Sequence, residues 1–300
     1  MQVASRTFAM PAPLDLRLTL GPLQHGTGDP TVRIGANEVI RCARTPDGPA
    51  SLHLRVAGGT VSAEGWGPGA EWMLDTAQEL LGSGDDPSAL EPHHPLIGRL
   101  RRRLAGLRMP RSSCVMEALL PAILEQKVTG AEARRSYRRI VRALGEPAPG
   151  PFDLMLPPAP ELLAATPAYA FHPFGVERKR AEVIRAAGRI GTRLAGTARD
   201  DPAETRRRIR SILGIGPWTE AEVARVAFGD ADAVSVGDFH LPNVVGWALA
   251  GEPRVDDARM LELLEPYRGQ RGRVCLMLEL AGPRPPRYGP RMAVRSIEKL

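Results

Sequence analysis

The chain has 300 residues, 43% of them hydrophobic, so it can bury a real core. A disordered chain is excluded, and the length suggests two domains or three small ones. The formal net charge is +6, and only Lys127, Lys179 and Lys299 among the 40 basic residues are lysine. Arginine binds phosphate through a planar fork, so this composition permits a phosphate-bearing partner; GC-rich coding would produce the same bias.

Near the start, Leu14, Leu16, Leu18 and Leu20 alternate with Asp15, Arg17 and Thr19, which predicts a half-buried strand. Glu38–Arg44 and Ser51–Val56 read as further strands, with turn signals at Pro46–Gly48 and Gly58–Gly59. Residues 71–81 read as one amphipathic helix. The first ninety residues therefore predict a small antiparallel sheet carrying a helix. The period then turns helical, with helices expected over 95–106, 114–127, 130–144, 175–194, 202–213, 217–228, 240–250, 257–265 and 270–281. A proline-rich connection, 145–160, divides two groups of helices. The fold class expected is α+β. A basic tail, 283–300, carries Arg284, Arg287, Arg291, Arg295 and Lys299 against Glu298 alone.

Cys42, Cys114 and Cys275 lie far apart without a Cys-x-x-Cys pair. That excludes a four-cysteine zinc or iron–sulfur site and argues against a disulfide framework, as fits a reduced intracellular compartment. No apolar run approaches the roughly 18 residues of a membrane span. The opening MQVASRTFAMPAPLDLRL has no apolar core of a signal peptide.

The most informative segment runs from Asp201 to Phe228. Asp201, Pro202 and Glu204 form a helix start. That helix ends in Ile212-Leu213-Gly214-Ile215-Gly216, and Pro217 opens another. Two helices joined by Gly-x-Gly make a tight hairpin, whose amides together with the positive end of the second helix offer a phosphate seat. By itself the hairpin is equally a helix cap followed by a new helix. Further along, Val234-Ser235-Val236-Gly237-Asp238 precedes a helix whose apolar face is Leu241, Val244, Val245, Ala248 and Leu249. Asp238 thus sits at a helix N-terminus, where it is at the least a good cap.

LGIGPWTEAEVA followed by VSVGD resembles the helix-hairpin-helix, Gly/Pro-and-Asp superfamily of DNA base-excision glycosylases. ILEQKVTGAEA (Ile123–Ala133) resembles that family's LxQqVS..A helix start. The resemblance covers about residues 90–282 and is nearest to the bacterial 3-methyladenine DNA glycosylase II branch. It implies an N-terminal sheet-and-helix domain over 1–90, a two-lobed helical core over 91–282 with its hairpin at 202–228, and the tail. It implies a cytoplasmic, nucleoid-associated monomer acting on double-stranded DNA with damaged bases. No cofactor is required.

Residue by residue, the resemblance makes Asp238 the catalytic carboxylate, stabilising an oxocarbenium-like state at C1′ or orienting water. Bifunctional members carry a lysine where this chain has Trp218, so the reading is monofunctional, without a Schiff base. The amides of Gly214, Gly216 and Trp218 or Thr219 would meet phosphate, with Gln126 and Lys127 also on DNA. The carbonyls of Arg210, Ile212 and Ile215 would hold a monovalent cation. The base pocket would draw on Trp218, Phe239, Phe171 and Glu125, with Trp218 either stacking on the flipped base or packing the hairpin. A base methylated at N3 or N7 is cationic and leaves without a general acid, so one carboxylate suffices.

Some positions depart from the pattern. Lys127 stands where relatives place an apolar wedge, so either it contacts phosphate or a neighbour is the wedge. Glu222, Glu279 and Leu280 stand where relatives have pocket aromatics. Phe171, His172, Phe174, Phe239 and His240 are the candidate substitutes. His93-His94 lacks metal-ligand spacing. A lesion-sensing protein with weak catalysis, and a glycosylase for deaminated or oxidised bases, are the competing readings.

Overall fold

The computed structural model describes residues 3–197, 199 and 201–286; the tail residues Arg287, Arg291, Arg295, Glu298 and Lys299 lie outside them. The chain opens with strand β1 (Ala4–Ala9), helix α1 (Leu16–Leu20) and strands β2 (Val32–Ile34), β3 (Glu38–Thr45), β4 (Gly48–Ala57) and β5 (Thr60–Trp66). These five strands form one antiparallel sheet in the order β1-β5-β4-β3-β2. The β4–β5 turn pairs Ala57 with Thr60 across Gly58 (φ +56°) and Gly59 (φ +80°), which are left-handed positions that a two-residue hairpin demands.

The expected strand over Leu14–Leu20 is instead α1. The Asp15 carboxylate accepts the N–H of Arg17 and of Leu18, which nucleates a helical turn and buries Leu16, Thr19 and Leu20 at helical spacing. The expected single helix over 71–81 is two short ones, α2 (Ala70–Asp75) and α3 (Ala77–Leu80). They part at Thr76, whose hydroxyl donates to the Trp72 carbonyl.

The helices that follow are α4 (Pro95–Arg103), α5 (Val115–Leu124), α6 (Gly130–Leu144), α7 (Pro160–Ala165), α8 (Arg178–Thr197), α9 (Pro202–Arg210), α10 (Pro217–Ala227), α11 (Leu241–Ala250), α12 (Asp257–Leu264) and α13 (Arg271–Ala281). The proline-rich connection is not irregular throughout, because it pairs β6 (Glu146–Pro147) with β7 (Met155–Leu156). The Phe-His-Pro-Phe run lies in a 3-10 helix over Ala168–Phe174.

Two hydrophobic cores organise these elements. The first joins the sheet to the helices: Leu52 and Val61 share it with Leu119, Ile140 and Ile184. The second gathers α4, α11, α12 and α13 around Ile97, Val245, Met260 and Val274. The N-terminal sheet therefore has no separate main core of its own but is continuous with α5, α6 and α8. All three cysteines are buried and free. Among the described residues no helix is long and apolar enough to cross a membrane.

Candidate active site

The hairpin is built by its caps. The Asp201 carboxylate accepts the Glu204 N–H at 2.8 Å to start α9, and Pro217 starts α10 where a missing N–H costs nothing. The two hairpin glycines differ. Gly214 has φ +93°, and a Cβ there would lie 2.5 Å from Val183 Cγ2 on α8, so the residue is needed for packing. Gly216 is extended, at φ −101°, and a Cβ there would meet nothing within 4 Å. It faces open space. The Ile215 N–H is spent on the Ile212 carbonyl. The amides of Gly214, Gly216, Trp218 and Thr219 donate no hydrogen bond among the described residues, which leaves a cluster of orphan donors at a helix N-terminus.

Asp238 approaches from the second core. Gly237 takes φ +90° and its N–H donates to both carboxylate oxygens of Asp257, each at 3.1 Å. Asp238 Oδ1 accepts the N–H of His240 at 2.7 Å and of Leu241 at 2.8 Å, closing the start of α11. Its Oδ2 accepts the indole N–H of Trp218 at 2.9 Å. The half-buried carboxylate is thus tied to two elements: its own helix and the first turn of α10.

Gln126 is committed to the hairpin. Its side-chain amide donates to the Gly214 carbonyl at 3.0 Å and to Thr219 Oγ1 at 2.9 Å. Lys127 is exposed, left-handed at φ +56° and without a hydrogen bond or ion pair among the described residues. A non-glycine residue held there is unusual and marks a constrained turn. The turn is set by the capping box in which Thr129 and Glu132 satisfy each other.

The expected pocket residues are only partly brought together: Trp218 bonds Asp238, and Glu125 feels its charge. Phe171 is 0% exposed within the first core, so it offers no ring face to a base and is not a pocket residue. Phe239 is 81% exposed with its ring edge-on to His240. Glu222 accepts from Ser235 Oγ and pairs with Arg225, both at 2.5 Å, and Arg225 lies 3.8 Å from Glu279. Glu125 caps α5 through its N–H, which donates to the Pro121 carbonyl at 3.0 Å, while its carboxylate has no hydrogen bond or ion pair among the described residues. Burial, reinforced by the charges of Glu222 and Asp238, pushes its carboxyl up to about 7, although Arg134 and Arg225 pull the other way.

No family model matches the chain. Over 125 residues it is 30% identical to DNA-3-methyladenine glycosylase 2 of Escherichia coli (strain K12), a match spanning 41% of this chain and 44% of that protein. The 3-methyladenine DNA-glycosylase of Archaeoglobus fulgidus superposes with a TM-score of 0.75 at 17% identity, over 92% of this chain and 97% of that one. The 8-oxoguanine glycosylase/lyase of Clostridium acetobutylicum, in complex with double-stranded DNA containing cytosine opposite 8-oxoguanine, gives 0.66 at 14% identity over 88% and 90%. The fold is that of the helix-hairpin-helix DNA glycosylases. The sequence resemblance to that superfamily, and to its 3-methyladenine branch, holds.

The carbonyls named for a monovalent cation have lone pairs to spare. Those of Arg210 and Ile215 accept no backbone hydrogen bond among the described residues, and that of Ile212 keeps a lone pair beside the Ile215 N–H. Among the described residues no group of three or more His, Cys, Asp or Glu is placed to hold a metal. Sequence reasoning missed Asp257, which holds the Gly237 amide, and the Ser235–Glu222–Arg225 chain. The Gly237–Asp257 and Ser235–Glu222 contacts join residues 20 and 13 positions apart, which no local pattern signals; Glu222–Arg225 is an i,i+3 pair on one face of α10.

Proposed function

We propose that the chain is a monofunctional DNA glycosylase of base excision repair that flips out alkylated purines of the 3-methyladenine and 7-methylguanine type and hydrolyses their N-glycosidic bond. The observation that carries this reading is Asp238, held by three N–H donors beside a hairpin whose own amides are unspent. Those amides, with Lys127, take the phosphates flanking the lesion. The Asp238 carboxylate faces C1′ as positive charge develops there, and water completes the hydrolysis. A cationic base departs with the bond electrons and needs no added proton. With Trp218 where bifunctional relatives have lysine, no amine attacks C1′, and the product is an abasic site. A monovalent cation on the carbonyls of Arg210, Ile212 and Ile215 would brace the phosphate seat. A lesion sensor with weak catalysis is the second reading, favoured by the buried Phe171 and by Glu222 at a pocket-aromatic position.

The deciding assay incubates the protein with alkylated genomic DNA and identifies released bases by mass. Free methylpurines are expected, with loss by roughly 100-fold or more in Asp238→Asn. Borohydride should trap no protein–DNA adduct. DNA bound without base release would favour the sensor.

A further inference from the structure

We propose that Trp218 is a positioning residue, which fixes the plane of the Asp238 carboxylate for glycosidic cleavage through its indole N–H. The proposal rests on the glycosylase reading above and deepens it. The two backbone amides of His240 and Leu241 both reach Oδ1. Contacts on one oxygen leave a carboxylate able to swing about that oxygen. The indole N–H at 2.9 Å from Oδ2 supplies the second point, and the two anchored oxygens with Cγ define the carboxylate plane. The same residue contributes a backbone amide to the open phosphate seat, and its neighbour Thr219 is held by Gln126. Trp218 therefore joins the phosphate-binding turn to the reacting carboxylate through one side chain. Its N–H edge is already engaged, so its role differs from that of a free aromatic face awaiting a base. Stabilising a cationic transition state depends on a charge held in place before the reaction, so a carboxylate free to rotate loses rate more than affinity.

The test compares Trp218→Phe, which keeps a ring but loses the donor, with Trp218→Ala. Single-turnover excision is measured on a duplex bearing one N7-methylguanine, and affinity on its non-hydrolysable 2′-fluoro analogue. Losing a hydrogen bond to a charged group predicts an excision rate lowered about 10- to 100-fold in Trp218→Phe, with Kd within a few-fold of wild type. Trp218→Ala should lose at least as much rate. If Trp218→Phe excises at the wild-type rate while Trp218→Ala does not, the ring and not the N–H matters, and the proposal falls while the glycosylase reading stands. If the wild type releases no base and Asp238→Asn changes nothing, the glycosylase reading fails and takes the proposal with it.

A second readout needs no activity. The chain has four tryptophans, so the indole N–H region of a nitrogen–proton correlation spectrum holds four peaks, and Trp218→Phe identifies one. That peak should move upfield in Asp238→Asn, as a donor losing a charged acceptor does. An unmoved peak would overturn the contact, whatever the kinetics.

Discussion

Arg41 on β3 and Glu117 on α5 form a two-point ion pair, Nε to Oε1 at 2.8 Å and Nη2 to Oε2 at 2.6 Å, with side chains only 2% and 8% exposed. It ties the N-terminal sheet to the helix whose end carries Glu125 and Gln126. Breaking a buried pair leaves an uncompensated charge, so Glu117→Ala should cost about 3–5 kcal/mol of folding stability. Replacing both partners with apolar residues of similar size should cost much less. Urea unfolding of the two variants checks the order; equal losses in the single and the double variant would contradict it.

The hairpin glycines should separate folding from binding. Gly214→Ala forces a Cβ toward Val183 at a left-handed position, a strain of about 1–3 kcal/mol. Gly216→Ala has an ordinary φ and open space, so it should unfold at the wild-type urea concentration yet bind DNA more weakly, because the methyl group occupies the phosphate approach. Unchanged DNA affinity in Gly216→Ala would remove that amide cluster from the interface.

The ionisation of Glu125 gives stability a pH dependence. Its carboxyl is raised from 4.5 to about 7 by burial and the nearby Glu222 charge, so the folded state holds the proton more tightly than the unfolded chain does. The stability it contributes is complete below about 4.5 and is lost as pH rises through about 7. Glu125→Gln removes that loss. The melting temperature of the variant relative to wild type should therefore be more favourable at pH 8 than at pH 5. A difference independent of pH would show that Glu125 ionises normally.

DNA affinity should be indifferent to sequence and should fall with salt, since backbone amides and cations read phosphate. Lys127→Ala should reduce the slope of log affinity against log salt by about one. A slope unchanged in the variant would place Lys127 off the DNA backbone.

The hairpin and Asp238 were legible because punctuation residues carry them: Pro217 must open a helix, Gly214 must turn left, and an aspartate ahead of an apolar helix must cap it. Helix positions were legible for the same reason, since the 3.6-residue period repeats over several turns. Leu14–Leu20 misled because five helical residues are too few to display that period, and alternating leucines mimic a strand. Strand β1 escaped notice because it is ordered by β5, far along the chain, and β2 because three residues are too few to show an alternating period; β5 was also not anticipated. Distance hid the hairpin contacts of Gln126, which was expected on DNA and whose acceptors lie 88 and 93 positions away, and the complete burial of Phe171. Side-chain partnership between remote segments leaves no periodic trace.

The two cores meet where the site is assembled. Ile212 and Ile215 anchor the phosphate seat in one, while Val236 and Leu241 anchor the Asp238 turn in the other. On the glycosylase function proposed above, the site would act as a caliper with one jaw in each core, set to the span between a backbone phosphate and the sugar carbon beside it. Loosening the joint opens the caliper without dismantling either jaw. Variants far from DNA that weaken the contact between lobes should then keep their grip on the duplex while losing the cut at C1′, so excision per bound complex gauges how firmly the halves are docked.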